Sequence, residues 1–127
     1  METTKKRVLL IDDEPSFTRV LKMNLEKTGA YEVREENIGL RGIESAKEFK
    51  PDVILLDIVM PDIDGGAILS EIRSSEDARD TKVLFLTAVL TKEEQRQKQG
   101  YLSNTPCLAK PVSIKEVVDF IEKNAQK

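Results

Sequence analysis

Short apolar runs punctuate the chain: Val8-Leu9-Leu10-Ile11, Val53-Ile54-Leu55-Leu56, Val83-Leu84-Phe85-Leu86 and the weaker Cys107-Leu108-Ala109. Each is too short for a helix and rich in Val, Ile, Leu or Phe, which predicts buried strands. Tyr31 to Arg34 fits a further strand, although Glu32 and Arg34 interrupt its apolar character. Helical spacing fills the intervals. Phe17, Val20, Leu21 and Leu25 share one face behind Pro15, a residue favoured in a first turn. Ile43, Ala46 and Phe49 form a shorter stripe that Pro51 closes, and Ile68, Leu69 and Ile72 mark a third helix entered through Asp64-Gly65. Ile114, Val117, Val118 and Ile121 mark the last helix, with Ser113 as its cap. The segment from Thr91 to Gln99 has no apolar residue. It predicts a fourth helix that is exposed, short or mobile, or else an ordinary solvated helix anchored by Val89, Leu90 and Leu102.

Strands and helices thus alternate five times, the pattern of a parallel sheet with helices on both faces. Ligands of such sheets bind beyond the carboxyl ends of the strands. Polar residues stand at those ends: Asp12 and Asp13 after the first run, Asp57 after the third strand, Thr87 after the fourth and Lys110 after the fifth. Taken singly, Asp12-Asp13 reads as a helix-entry turn, Thr87 as a turn cap and Lys110 as a solvated charge. If the first and third strands are neighbours, however, the three aspartates converge. Two carboxylates about 4 Å apart repel by roughly 4 kcal/mol at an effective dielectric of 20. A raised pKa or a bound cation must offset that repulsion. An all-oxygen donor set favours Mg²⁺ over softer metals.

Composition narrows the chemistry. The 127 residues are 39% hydrophobic and 34% charged, which predicts one globular domain over 1–127. The apolar runs are no longer than four residues, and Met1 to Lys6 is polar, so neither membrane insertion nor a secretory signal is expected. Twenty basic against 23 acidic residues leave a net charge of −3, without the basic footprint of direct nucleic-acid binding. Cys107 is the lone cysteine, with no CxxC partner, so a reducing, cytoplasmic location is expected. The chain has no histidine, which excludes a Ser-His-Asp triad, a Cys-His pair, a histidine metal ligand and a phosphohistidine of its own. Neither GxGxxG nor GxxxxGK[ST] occurs, against a nucleotide-binding loop.

Asp12-Asp13, then Asp57-Ile58-Val59-Met60-Pro61-Asp62-Ile63-Asp64-Gly65, then Thr87-Ala88, then Lys110-Pro111 follow one another at a telling spacing. In these residues, and over essentially its whole length, the sequence resembles the receiver domain of two-component response regulators, chemotaxis-regulator-like. The resemblance implies an α/β, flavodoxin-like, doubly wound parallel sheet of five strands in the order 2-1-3-4-5 with five helices. It implies that Asp57 accepts a phosphoryl group from a phosphohistidine on a sensor histidine kinase or phosphotransfer protein. Asp12 and Asp13 match the pair that holds Mg²⁺ with Asp57, Asp13 directly and Asp12 through water, and the Val59 backbone carbonyl matches a further ligand. Thr87 matches the hydroxyl that moves onto the phosphoryl group, and Lys110 the cation that pairs with it. The Lys110–Pro111 bond is often cis in relatives. The implied function is a phosphoacceptor signalling domain that assists its own phosphorylation and dephosphorylation and switches contacts with a downstream protein target. It is not the function of a turnover enzyme.

Departures from the family pattern carry expectations of their own. Three residues before Lys110 the family usually places an aromatic switch residue, and here stands Cys107, expected as a small buried hydrophobe. Val59 and Val89, two residues beyond Asp57 and Thr87, cannot position a water by hydrogen bonding, which predicts a long-lived phosphoryl state. Two other classes stay open on sequence. A Mg²⁺-dependent phosphatase with an aspartate nucleophile would share the constellation but wants a second acid where Val59 stands. A degenerate scaffold would keep the fold without phosphate chemistry.

Overall fold

The computed structural model describes residues 4–102 and 104–124. Chain order is β1 (Lys6–Ile11), α1 (Pro15–Lys27), β2 (Tyr31–Glu36), α2 (Gly39–Phe49), β3 (Val53–Leu56), α3 (Gly65–Ser74), β4 (Lys82–Thr87), α4 (Lys92–Gln97), β5 (Tyr101–Leu102), β6 (Thr105–Ala109) and α5 (Ile114–Asn124). The sheet runs β2-β1-β3-β4-β6-β5. Its first five members are parallel, with Ile11 opposite Leu56 and Thr87 opposite Ala109. The expected doubly wound order is therefore present, and one strand is added to it. Tyr101–Leu102 pairs antiparallel with Pro106 and Thr105 at the outer edge. A two-residue strand has no hydrophobic period to read, which is why the sequence pattern omits it.

Alternation along the strands explains why their apolar runs are unbroken. Leu9, Ile11, Ile54, Leu56, Val83, Phe85, Cys107 and Ala109 point to one face, where Ile43, Ala46 and Phe49 of α2 and Ile68 and Ile72 of α3 cover them. Val8, Leu10, Val53, Leu55, Leu84, Leu86 and Leu108 point to the other, under Leu21 and Leu25 of α1 and Val117 and Ile121 of α5. A strand covered on both faces needs apolar residues at every position. Cys107 is buried in the first of these layers, as expected.

Local signals set most helix starts. Pro15 opens α1, Asp64 accepts from the Ala67 amide at 2.9 Å at the start of α3, and Ser113 and Glu116 exchange hydrogen bonds at the start of α5. Two expectations need correction. On α1 it is Thr18, Leu21 and Leu25 that are buried, while Val20 faces solvent. Thr18 fits there because its hydroxyl reaches the Pro15 carbonyl and the Glu35 carboxylate, both at 3.3 Å. The second strand also continues past Arg34 to Glu36. The apolar-poor fourth helix is short and has no buried residue, as its pattern predicts.

Candidate functional site

The carboxyl ends of β1 and β3 lie side by side, because Asp57 donates its amide to the Ile11 carbonyl at 2.9 Å. That pairing brings Asp12, Asp13 and Asp57 together, with one carboxylate oxygen from each inside a 4.8 Å cluster. Asp12 is 4% exposed and Asp57 8%, while Asp13 is half-buried. Burial pushes both the Asp12 and Asp57 carboxyls above the usual range. For Asp12 a hydrogen bond from Lys110 and the Glu14 amide oppose the rise. For Asp57 the charge of Lys110, the Thr87 hydroxyl and the amides of Val59 and Ile58 oppose it. These crowded acidic oxygens form an all-oxygen donor set that could hold a cation, with no His or Cys among them.

Lys110 enters from β6, and its partner in this state is Asp12 rather than Asp57: Nζ lies 2.6 Å from Asp12 Oδ2 and 3.4 Å from Glu14 Oε1. The ammonium also rests 4.1 Å from the centroid of the Phe17 ring. Desolvation pulls the Lys110 pKa down, but the Asp12 hydrogen bond and the charges of Asp12, Asp57 and Glu14 outweigh it, so the net shift is upward. The Lys110–Pro111 peptide is cis, in keeping with the resemblance. Thr87 is fully buried at the end of β4. Its hydroxyl accepts from the Val89 amide at 3.1 Å, and its carbonyl accepts from the Lys110 amide at 2.8 Å. Asp12, Asp13, Asp57, Thr87 and Lys110 thus stand along one rim of the sheet, at the ends of β1, β3, β4 and β6, whereas Cys107 is buried in the core layer. The side chain of Val59 is 60% exposed beside that rim.

Several further contacts are not foretold by the sequence pattern. Asn37 donates to the Asp12 carbonyl at 2.7 Å and to Thr18 at 3.0 Å, pinning the loop that carries the acidic pair. Glu14 and Phe17 hold Lys110. Asp62 accepts from the Gly39 and Leu40 amides at 3.1 and 2.9 Å, capping α2, whose own N-cap Ile38 cannot do so. Those amide contacts hold the Asp62 carboxyl below the usual range.

Gly65 secures the loop after Asp57. Its amide donates to the Ile58 carbonyl at 2.6 Å, and an added Cβ would stand 2.7 Å from both the Asp57 carbonyl and the Ile58 Cα. Those are backbone atoms that cannot step aside. Gly65→Ala is therefore expected to cost about 1–3 kcal/mol, as overpacking does, and to move the Asp57 backbone resonances. Urea unfolding together with an NMR correlation spectrum checks this, and unchanged Asp57 resonances would contradict it.

Comparison with known proteins gives the family of the chain. The family model described as "Response regulator receiver domain" matches residues 8–122. The chain is 34% identical over 113 residues to the DNA-binding dual master transcriptional regulator RpaA of Synechocystis, covering 88% of this chain and 46% of that protein. It is 38% identical over 113 residues to the transcriptional regulatory protein TrcR of Mycobacterium tuberculosis, covering 88% and 42%. The chain thus spans about half the length of these curated relatives. Among solved structures it is similar to the receiver domain of sensor histidine kinase PA1611 from Pseudomonas aeruginosa PAO1, described with a magnesium ion coordinated in its active site cleft. The identity is 27% and the TM-score 0.79, over 96% of this chain and 98% of that one. The family match runs from the first strand into the last helix and takes in every strand-end residue of the rim. On that ground the chain belongs to the response regulator receiver domains of two-component systems.

Proposed function

We propose that this receiver domain takes a phosphoryl group onto Asp57 from a phosphohistidine of a partner kinase or phosphotransfer protein, with Mg²⁺ as cofactor. The observation that carries the reading is the convergence of Asp12, Asp13 and Asp57 within 4.8 Å beside the Lys110 ammonium. The donor must come from elsewhere, since the chain has no histidine. In the step, an Asp57 carboxylate oxygen forms the new bond to phosphorus while the nitrogen–phosphorus bond breaks and the electron pair leaves with the imidazole.

Phosphoryl transfer asks for alignment and charge neutralisation more than for covalent help. The donor set fits Mg²⁺, which would be held by Asp13, Asp57 and the Val59 carbonyl, with Asp12 through water. When bound, it supplies positive charge against the carboxylates and the incoming phosphoryl oxygens. Lys110 provides a second cation that can turn from Asp12 to a phosphoryl oxygen. Thr87 provides a hydroxyl that can leave the Val89 amide for the same group. Rearrangement of these two partners would convert a local charge event into a changed protein-binding surface. The downstream partner is a protein target. The described residues contain no helix long and apolar enough to cross a membrane.

Intact-mass analysis after incubation with acetyl phosphate, with and without Mg²⁺, tests the reading. One Mg²⁺-dependent phosphoryl adduct is expected, and its absence from folded protein would favour the scaffold alternative. Sustained turnover of a phosphomonoester would favour the phosphatase. The exposed Val59 and Val89 side chains carry the second expectation. Val59→Asn should speed loss of the adduct by about tenfold, the order of one well-placed hydrogen bond to the attacking water. An unchanged decay would show that Val59 has no part in the lifetime.

A further inference from the structure

Helix α4 has no buried residue, yet it is docked against the sheet, and the means of docking reach the site. In β6 the amide of Lys110 points inward to the Thr87 carbonyl, so the amide of Ala109 points to the outer edge. The added strand β5 pairs only with Thr105 and Pro106, and Cys107 is served by the Gly100 carbonyl at 2.8 Å. Neither reaches Ala109. Ala109 is fully buried, and its main-chain groups need partners. Two α4 side chains supply them. Gln95 Oε1 accepts from the Ala109 amide at 2.8 Å, and Lys92 Nζ donates to the Ala109 carbonyl at 2.5 Å.

The carbonyl of Ala109 and the amide of Lys110 belong to one planar peptide unit. That unit is gripped at both ends, by Lys92 from α4 and by the Thr87 carbonyl from β4. Lys92 also reaches Glu116 of α5 at 3.4 Å. We propose that Gln95 and Lys92 are positioning residues for Lys110, clamping Ala109 so that the docking of α4 and the placement of the Lys110 ammonium form one equilibrium. The proposal deepens the phosphoacceptor reading and, for its effect on phosphorylation, rests on it. A receiver with Cys107 at the usual aromatic position still has, by this route, a direct connection between its rim and α4.

Gln95→Met and Lys92→Met, singly and together, remove the polar ends while keeping chain length. Hydrogen exchange of the Ala109 amide and the Lys110 Nζ resonance are read in protein without acetyl phosphate. Exchange at Ala109 should rise about tenfold for a lost hydrogen-bond partner, and the Lys110 resonance should move. Gln97→Ala, exposed on the same helix, should change neither. Wild-type exchange and resonance in the double variant would overturn the proposal. So would an equal change in Gln97→Ala, because helix fraying alone would then explain it. With acetyl phosphate and Mg²⁺, the double variant should form its adduct several-fold more slowly, and an unchanged rate would overturn the link to the site. If the wild-type chain forms no adduct, the phosphoacceptor reading fails while exchange and resonance still decide the clamp.

Discussion

Asp57→Asn will carry no phosphoryl adduct after incubation with acetyl phosphate and Mg²⁺, under conditions in which the unaltered chain carries one. The carboxamide has nearly the shape of the carboxylate but lacks the anionic oxygen that forms the bond to phosphorus and one charge of the cation site. The same variant should be more stable at neutral pH. Burial raises the folded-state pKa of both Asp12 and Asp57, so the folded chain binds more protons than the unfolded one between the ordinary value of 3.8 and the raised ones. Unfolding free energy therefore falls as pH rises through that window. Removing one charge of the pair should make the fall shallower and raise neutral-pH stability by about 1–2 kcal/mol, part of a screened carboxylate repulsion. Intact mass and urea unfolding at several pH values check both parts. An adduct on the variant, or a variant less stable at neutral pH, would contradict the assignment of Asp57.

Lys110→Met should have the largest cost to the fold. Lys110 is the 2.6 Å partner of Asp12, and their side chains are 10% and 5% exposed. Removing one member of a buried pair leaves the other charge uncompensated, at about 3–5 kcal/mol. The sign with pH follows from the shifts. Lys110 is raised in the folded state, so its contribution is complete below the ordinary value of 10.5 and is lost as pH rises through the folded value. At the acid end, protonation of Asp12 removes the partner and the cost shrinks again. Adduct formation should fall by about 10²-fold, as when one preorganised charge stabiliser is removed. Lys110→Arg should recover stability better than rate, because a planar fork does not reproduce the geometry of an ammonium. Equal urea midpoints for Lys110→Met and the unaltered chain would show that Asp12 does not depend on this lysine.

Much of the fold was legible in the sequence, for a local reason. Val8–Ile11, Val53–Leu56 and Val83–Leu86 are apolar throughout because both faces of these strands are covered, and the helix stripes repeat at helical spacing. Where the structure departs from the pattern, each departure has its own physical reason. Val20 has the right spacing on α1 but Thr18 is the buried residue, since a hydroxyl that can reach Glu35 and the Pro15 carbonyl fits as well as a methyl. Tyr101–Leu102 is too short to show a period. The run from Thr91 to Gln99 lacks an apolar face, and α4 has no buried residue, but that pattern does not reveal a helix docked by hydrogen bonds.

Apart from the two-residue edge strand, the order of elements and the residue types at each strand end are readable along the chain, because periodicity and turn chemistry act over a few neighbours. Tertiary structure decided which polar groups meet. Lys110 lies 98 positions from Asp12 and takes it, with Glu14 and Phe17, as its setting. Asp62 caps a helix that begins 23 residues earlier, and Ala109 finds its partners in Lys92 and Gln95. A polar group satisfied at long range leaves no repeat along the chain. Its partner is set by which strands and helices pack side by side, and only the folded sheet brings those elements together.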